Sequence, residues 1–264
     1  MAGGAFAVMA LGKLGGRELT ERSDLDFVFV YDAAPGAERS DGARPLAVPE
    51  YFARLSQRLI SALSAPTSEG TLFAVDMRLR PSGGSGPVAS SLEAFRRYYS
   101  EQAWTWEFMA LTRARVVAGE PGLAARLEEA IHEAVCRPRD GRAVVKDVAD
   151  MRRRIHEAHP SNSLWAIKYG RGGLVDVEFI AQYLILVHAA RHRNVVSGNT
   201  ATAFERLTSV GALDPEAALI LYNAGRLWRT LQGLLRLTVE GPFEEEEASA
   251  GLKGVLAQIG RAHV

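Results

Sequence analysis

The hydrophobic pattern of the chain changes near residue 90, and this change restricts the possible folds more than any other feature. Before it, three short apolar runs end at turn-forming residues, as strands do, and one helical pattern lies between the second and third. After it, apolar residues recur at helical spacing. We predict an α+β fold, with a small mixed sheet and helices over residues 1–118 and an all-α helical bundle over residues 119–257.

The individual elements follow from the same patterns. The predicted strands cover residues 5–11, 24–31 and 71–80, and the predicted helices cover residues 49–63, 92–107, 122–135, 144–159, 173–190, 201–209, 215–239 and 248–257. Residues 258–264 match one reading frame of a common sequencing-library adapter. We therefore expect a fragment whose last seven residues form a non-native tail.

Charge and composition exclude several classes of protein. The chain has 31 Lys and Arg against 31 Asp and Glu, and residues 1–118 alone carry 13 of each sign. Binding to nucleic acid through its phosphates needs a basic excess, so we expect no nucleic-acid partner. A single cysteine, Cys136, excludes an internal disulfide and a multi-cysteine zinc site. Because no apolar run reaches the roughly 18 residues of a membrane span, we expect a cytoplasmic protein with no membrane partner.

The candidate chemistry is concentrated around two predicted strands. Gly15 and Gly16 follow the first strand, and the next strand begins with Asp24 and Asp26. Residues i and i+2 of a strand project from the same face, so these two carboxylates are predicted to point together, with Asp76 of the third strand as a possible third member. Mg²⁺ takes such oxygen ligands together with substrate phosphates. A pair of solvated acids at an exposed strand edge is the alternative, and the Asp-x-Asp pattern alone does not exclude it.

The order of the motifs along the chain adds further residues to the candidate site. A strand, a Gly-Gly turn, the segment Ser-Asp-Leu-Asp over 23–26, a helix and a strand with one Asp together resemble the nucleotidyltransferase superfamily, whose polymerase-β-like members hold two metal ions on three carboxylates. The match is closer to the glutamine synthetase adenylyltransferase family. Residues 10–19, 23–26, 75–81, 103–107, 113–115, 168, 172–173 and 176–179 carry this resemblance.

The resemblance implies a specific reaction and site. Asp24, Asp26 and Asp76 would hold two Mg²⁺ or Mn²⁺ ions around ATP, and AMP would pass to a tyrosine hydroxyl of glutamine synthetase with release of pyrophosphate. Asp76 would also assist deprotonation of that tyrosine. Regulation by glutamine and by the PII signal protein is expected from the family. The segment over residues 103–107 and 113–115 looks like that of the C-terminal, adenylylating unit.

Five residues are predicted to contact the nucleotide. Ser23, Gly15 and Gly16 would contact the triphosphate. Arg78 and Arg80 alternate with Asp76 along the predicted strand, so both would reach phosphate oxygens with charge-assisted hydrogen bonds.

Four other functions stay open at this point. One is the sister activity of the family, phosphorolytic removal of AMP from glutamine synthetase. Another is transfer of a nucleotide to a small acceptor, and a third is a non-catalytic regulatory or docking module. Nucleic-acid polymerisation is the remaining possibility within the superfamily, and the neutral charge counts against it. Trp104 and Trp106 are predicted to be buried between sheet and bundle rather than to stack on adenine.

Overall fold

The structure is a computed structural model. It describes residues 3–261 except 69, 72, 162, 164, 240, 242, 244, 245 and 247, and for residue 261 it describes the backbone only. The chain divides into two compact units, residues 1–137 and residues 138–264.

The first unit is built on a mixed five-stranded sheet. Its strands are β1 (Ala5–Ala10), β2 (Leu25–Asp32), β3 (Val75–Asp76), β4 (Ala89–Ser91) and β5 (Arg115–Gly119). The strand order is β3-β2-β1-β5, with β4 also paired to β2. β1 is antiparallel to β2 and β5, whereas β3 and β4 run parallel to β2 and pair with its start and its end.

Aromatic side chains hold one face of this sheet against a helix. Alternate residues of β2, including Phe29 and Tyr31, are buried in a cluster with Phe6 of β1. Helix α2 (Val48–Leu63) begins at a Val-Pro pair and buries Phe52 in this cluster. The rings of Tyr31 and Phe52 stack with centroids 4.4 Å apart. This packing fixes β2, which carries the predicted acidic residues at its beginning.

Further α-helices of the first unit, in the part that the structure describes, are α1 (Gly12–Gly15), α3 (Leu92–Glu101), α4 (Thr105–Leu111) and α5 (Pro121–Val135), and residues 83–85 form a short 3₁₀ helix. Helix α5 begins where the Glu120 carboxylate accepts the amide hydrogens of Gly122 and Leu123. It packs against β1, β5, α3 and α4. The compact unit therefore ends after Arg137, and not after residue 118, where the sequence analysis places the first domain.

The second unit contains helices α6 (Gly141–Ala158), α7 (Leu174–His188), α8 (Thr200–Ser209), α9 (Pro215–Thr238) and α10 (Ala250–Arg261). Asp140, Asn199 and Asp214 cap α6, α8 and α9 through their side-chain oxygens. Helix α7 contacts α6, α8 and α9 and supplies the buried residues Ile185 and Leu186. Among the described residues, no helix combines the length and the apolar character that crossing a bilayer takes.

Several predicted elements differ from those of the structure. The predicted helix over 92–107 is two helices, because the chain leaves helical geometry at residues 102–104. The predicted strand over 71–80 is reduced to Val75–Asp76, with residue 72 outside the described part. β4 and β5 have no counterpart in the sequence analysis. Of the expected tail, residues 258–261 continue α10, and residues 262–264 lie outside the described residues.

Candidate active site

The acidic residues lie together at one end of the sheet. β2 and β3 are parallel there, and their register places Asp26 directly beside Asp76. The amide of Leu25 donates to the carbonyl of Ala74 at 2.8 Å and fixes this register. Asp24 is exposed and lies immediately before β2, outside the strand itself. The structure therefore brings two of the three predicted carboxylates into neighbouring strand positions, with the third one residue before the same strand.

The electrostatics of Asp26 show how closely these three residues interact. Burial is the main cause that raises the pKa of Asp26 to about 6, and the negative charges of Asp76 and Asp24 raise it further. Arg78 and Arg113 oppose this rise. Negative charge at this position is thus incompletely compensated by the protein, which is a condition that a bound cation relieves.

Asp76 has a different environment. The backbone amide of Arg78 donates to Asp76 Oδ1 at 2.8 Å, and Arg78 Nη2 donates to Asp76 Oδ2 at 2.5 Å. These hydrogen bonds with Arg78 lower the pKa of Asp76 below its ordinary value. Both carboxylate oxygens of Asp76 are therefore bonded to a side chain that is itself largely exposed to solvent.

The prediction that Asp76, Arg78 and Arg80 lie on one face of a strand is wrong. β3 ends at Asp76, and the chain then turns. The two arginines therefore do not alternate with Asp76 along a strand. Arg80 instead donates to three carbonyl groups, those of Met77 at 2.7 Å, Gly84 at 3.1 Å and Gly86 at 3.2 Å. Arg80 thus holds the Gly/Ser-rich turn that follows Pro81.

The groups predicted to contact the triphosphate have hydrogen-bond partners inside the protein. Two of them, Gly15 and Gly16, belong to the glycine turn, which comprises residues 12–16. The amide of Gly15 donates to the Leu11 carbonyl at 2.8 Å, and the amide of Gly16 donates to the Gly12 carbonyl at 3.1 Å. The Ser23 side chain is buried, and its hydroxyl accepts the amide hydrogen of Thr20 at 3.1 Å. These groups shape the segment between β1 and β2, and their contact with a nucleotide stays a prediction.

Gly12 is a site residue whose role the sequence analysis missed. It has a φ of +51°, which favours glycine, and a side-chain carbon built on it would collide with Asp26 Oδ2. The absence of a side chain at Gly12 therefore makes the space in which the Asp26 carboxylate lies. A glycine at the end of a strand was visible in the sequence, but its proximity to a residue 14 positions later was not.

The residues present fit a divalent cation in chemistry, although they are not arranged as a complete three-carboxylate site. Asp24 and Asp26 offer hard oxygen ligands, which Mg²⁺ and Mn²⁺ prefer, and Mg²⁺ commonly needs only one or two carboxylates besides substrate phosphates. Across the described part of the chain, no group of three His, Cys, Asp or Glu side chains is close enough to hold a metal ion.

The two tryptophans considered for adenine stacking are not buried as predicted. Trp104 is 71% exposed and Trp106 is 39% exposed. Helix α4 is anchored instead by Glu107, which is buried and accepts hydrogen bonds from the Tyr98 hydroxyl at 2.6 Å and the Trp104 amide at 2.9 Å.

Comparison with known proteins shows which class of enzyme the chain is similar to. Residues 2–130 match the family model for glutamate–ammonia ligase adenylyltransferase, and residues 143–242 match that for GlnD PII-uridylyltransferase. Both descriptions are those of nucleotidyltransferases.

Individual relatives give a narrower assignment within the nucleotidyltransferases. The chain is similar to the bifunctional glutamine synthetase adenylyltransferase/adenylyl-removing enzyme of Xanthobacter autotrophicus, with 47% identity over 98% of the chain, and to those of Bradyrhizobium sp. BTAi1 and Rhodopseudomonas palustris TIE-1, each with 46% identity over 97%. It belongs to this family and spans 26% of the length of these relatives.

Proposed function

We propose that this chain carries a unit that transfers AMP from ATP to a tyrosine hydroxyl of glutamine synthetase and releases pyrophosphate. The observation that supports this most directly is the pairing of Asp26 and Asp76 in adjacent parallel strands, with the charge of Asp24 acting on Asp26. The names of the relatives supply the reaction and the protein substrate. The proposed architecture is a polymerase-β-like unit followed by a helical bundle.

In this proposal, Asp24, Asp26 and Asp76 hold Mg²⁺ or Mn²⁺. Metal pairs of this kind stabilise the attacking and leaving oxygens of a displacement at phosphorus. The protein's own contribution begins with the burial of Asp26, which fixes one carboxylate in a poorly solvated position. Asp76 would then act as a ligand and would assist deprotonation of the tyrosine, whose ordinary pKa is about 10.

Arg78 connects the nucleotide with Asp76 in this mechanism. While Arg78 binds both oxygens of Asp76, the pKa of Asp76 is low, and the carboxylate is a weak base. A triphosphate offers the guanidinium a more highly charged partner with several acceptor oxygens. We propose that Arg78 moves to the triphosphate when ATP binds and thereby makes Asp76 available. Gly15, Gly16, Ser23 and Arg80 remain proposed nucleotide contacts that would require rearrangement of their present hydrogen bonds.

The sister activity is the second candidate, because the name of the relatives includes adenylyl removal. Transfer and removal differ in their substrates and products: transfer uses ATP and releases pyrophosphate, whereas phosphorolytic removal uses orthophosphate and releases ADP. The chain is incubated with Mg²⁺, ATP labelled at the α-phosphate and unmodified glutamine synthetase, and in parallel with orthophosphate and labelled, adenylylated glutamine synthetase. Labelling of the unmodified protein supports the adenylylating unit, whereas release of labelled ADP in the second reaction alone supports the removing unit.

The remaining parts of the proposal concern the setting of the reaction. We propose the cytoplasm as its location and the PII signal protein as a regulator of the complete enzyme. If neither reaction occurs while the folded chain still binds glutamine synthetase, the non-catalytic docking module becomes the better account.

A further inference from the structure

A buried ion pair lies next to the glycine turn. Arg113 and Glu18 are 5% and 9% exposed, and Arg113 Nη2 donates to Glu18 Oε2 at 2.5 Å. The two residues are far apart in sequence, and Arg113 lies two positions before β5. Because each charge would be costly to bury alone, the pair fixes the position of both side chains.

The same arginine holds the residue on which the Asp26 carboxylate rests. Arg113 Nε donates to the carbonyl oxygen of Gly12 at 3.0 Å. Asp26 Oδ2 lies where a side chain on Gly12 would otherwise be. The contacts therefore run from Glu18 to Arg113, from Arg113 to Gly12, and from Gly12 to Asp26.

Close backbone packing strengthens this arrangement. A side-chain carbon on Gly15 would collide with the carbonyl oxygen of Arg113, so the turn lies directly against the backbone at that residue. Arg115 adds hydrogen bonds to the carbonyls of Gly15 at 3.2 Å and Leu14 at 3.0 Å. Two arginines thus bind three carbonyl groups of a single short turn.

We infer that Arg113, held by Glu18, is a positioning residue for the proposed metal site. It acts through Gly12, by keeping the backbone of the turn where the Asp26 carboxylate can lie over it. This inference rests on the proposed function, since it assumes that Asp26 binds a cation. Residues that orient metal ligands through hydrogen bonds typically change metal affinity by about 10- to 100-fold when they are replaced.

Arg113→Lys separates the two contacts of the arginine. A lysine keeps the positive charge beside Glu18, but its single amine lacks the second, inner nitrogen that donates to Gly12. The matched control is Arg126→Lys. Arg126 also forms an ion pair with a residue distant in sequence, Asp32, at 2.5 Å. Asp32 is six residues after Asp26 on β2, or about 20 Å along the strand.

The experiment measures Mn²⁺ binding to the 264-residue chain by electron paramagnetic resonance, well below the unfolding temperature of each variant. Thermal unfolding is measured in parallel, so that loss of binding is not confused with loss of fold. We expect Arg113→Lys to weaken Mn²⁺ binding by roughly 10-fold or more and Arg126→Lys to leave it unchanged. Gly12→Ala, which displaces the carboxylate directly, should weaken binding as well.

The outcomes separate this inference from the proposed function. If the wild-type chain binds Mn²⁺ and folded Arg113→Lys binds it equally well, the positioning role is refuted while the metal site stands. If the folded wild-type chain binds Mn²⁺ neither alone nor together with a non-hydrolysable ATP analogue, the proposed metal site fails, and this inference fails with it.

Discussion

Replacement of Asp26 by asparagine is expected to stabilise the metal-free protein at neutral pH. Burial and two neighbouring carboxylates raise the pKa of Asp26 from 3.8 to about 6. A tenfold change in proton affinity corresponds to about 1.4 kcal/mol, so the ionised carboxylate costs up to about 3 kcal/mol. Because the side chain is not completely buried, solvent screening reduces this value, and we expect a gain of roughly 1–3 kcal/mol.

The pH dependence has a definite sign. A carboxyl group with a raised pKa in the folded state binds its proton more tightly there than in the unfolded chain. Its contribution to stability is fully present below about pH 4 and is lost as the pH rises through about 6. The stability advantage of Asp26→Asn should therefore be small near pH 4 and should reach its full value above pH 7.

The assay is urea unfolding of the wild type and Asp26→Asn at several pH values between 4 and 8, with a metal chelator present. Asp32→Asn is the matched control, since Asp32 lies on the same strand in an exposed ion pair. A difference between wild type and Asp26→Asn that does not grow with pH would refute the account of buried, incompletely compensated charge at Asp26.

Three further changes test other contacts. Arg78→Gln removes the cation from Asp76, so Mn²⁺ affinity without nucleotide, measured by calorimetry, should rise about 2- to 5-fold, and an unchanged affinity would contradict this. Arg80→Lys replaces three separate donor nitrogens, each bound to a different carbonyl group, by a single ammonium nitrogen. Hydrogen exchange over residues 77–86, followed by mass spectrometry, should therefore accelerate by about 10-fold or more, and unchanged exchange would count against this role. Asp176→Asn deprives the largely buried Arg152 of its counter-charge and should lower the free energy of unfolding by roughly 2 kcal/mol in urea; an unchanged midpoint would exclude this contribution.

The sequence was most informative where the hydrophobic pattern was strong. The predicted strand over 5–11 and the helix over 49–63 correspond to Ala5–Ala10 and Val48–Leu63, because both bury regularly spaced apolar residues. β5 was not predicted, since it is defined by its pairing with β1 and not by a distinctive local pattern. The tryptophans were predicted to be buried between sheet and bundle, but Trp104 lies exposed immediately before α4.

The residues of the candidate site also differ in how far the sequence could predict them. Asp24, Asp26 and Asp76 could be selected from the sequence because their residue type and spacing indicate metal chemistry. The contacts of Arg113 with Glu18 and Gly12 could not, because they join residues about 100 positions apart through tertiary packing. The engagement of Asp76 by Arg78 was also missed, since it depends on β3 ending at Asp76.

The most direct test of the proposed active site is transfer of AMP by the wild-type chain and by Asp24→Asn and Asp26→Asn. Each protein is incubated with Mg²⁺, α-labelled ATP and unmodified glutamine synthetase, and labelled tyrosine is quantified, with Asp32→Asn as a control remote from the site. We expect transfer by the wild type and the control and none above background by the two site variants. Full transfer by either folded site variant would contradict the assignment of these carboxylates to the reaction.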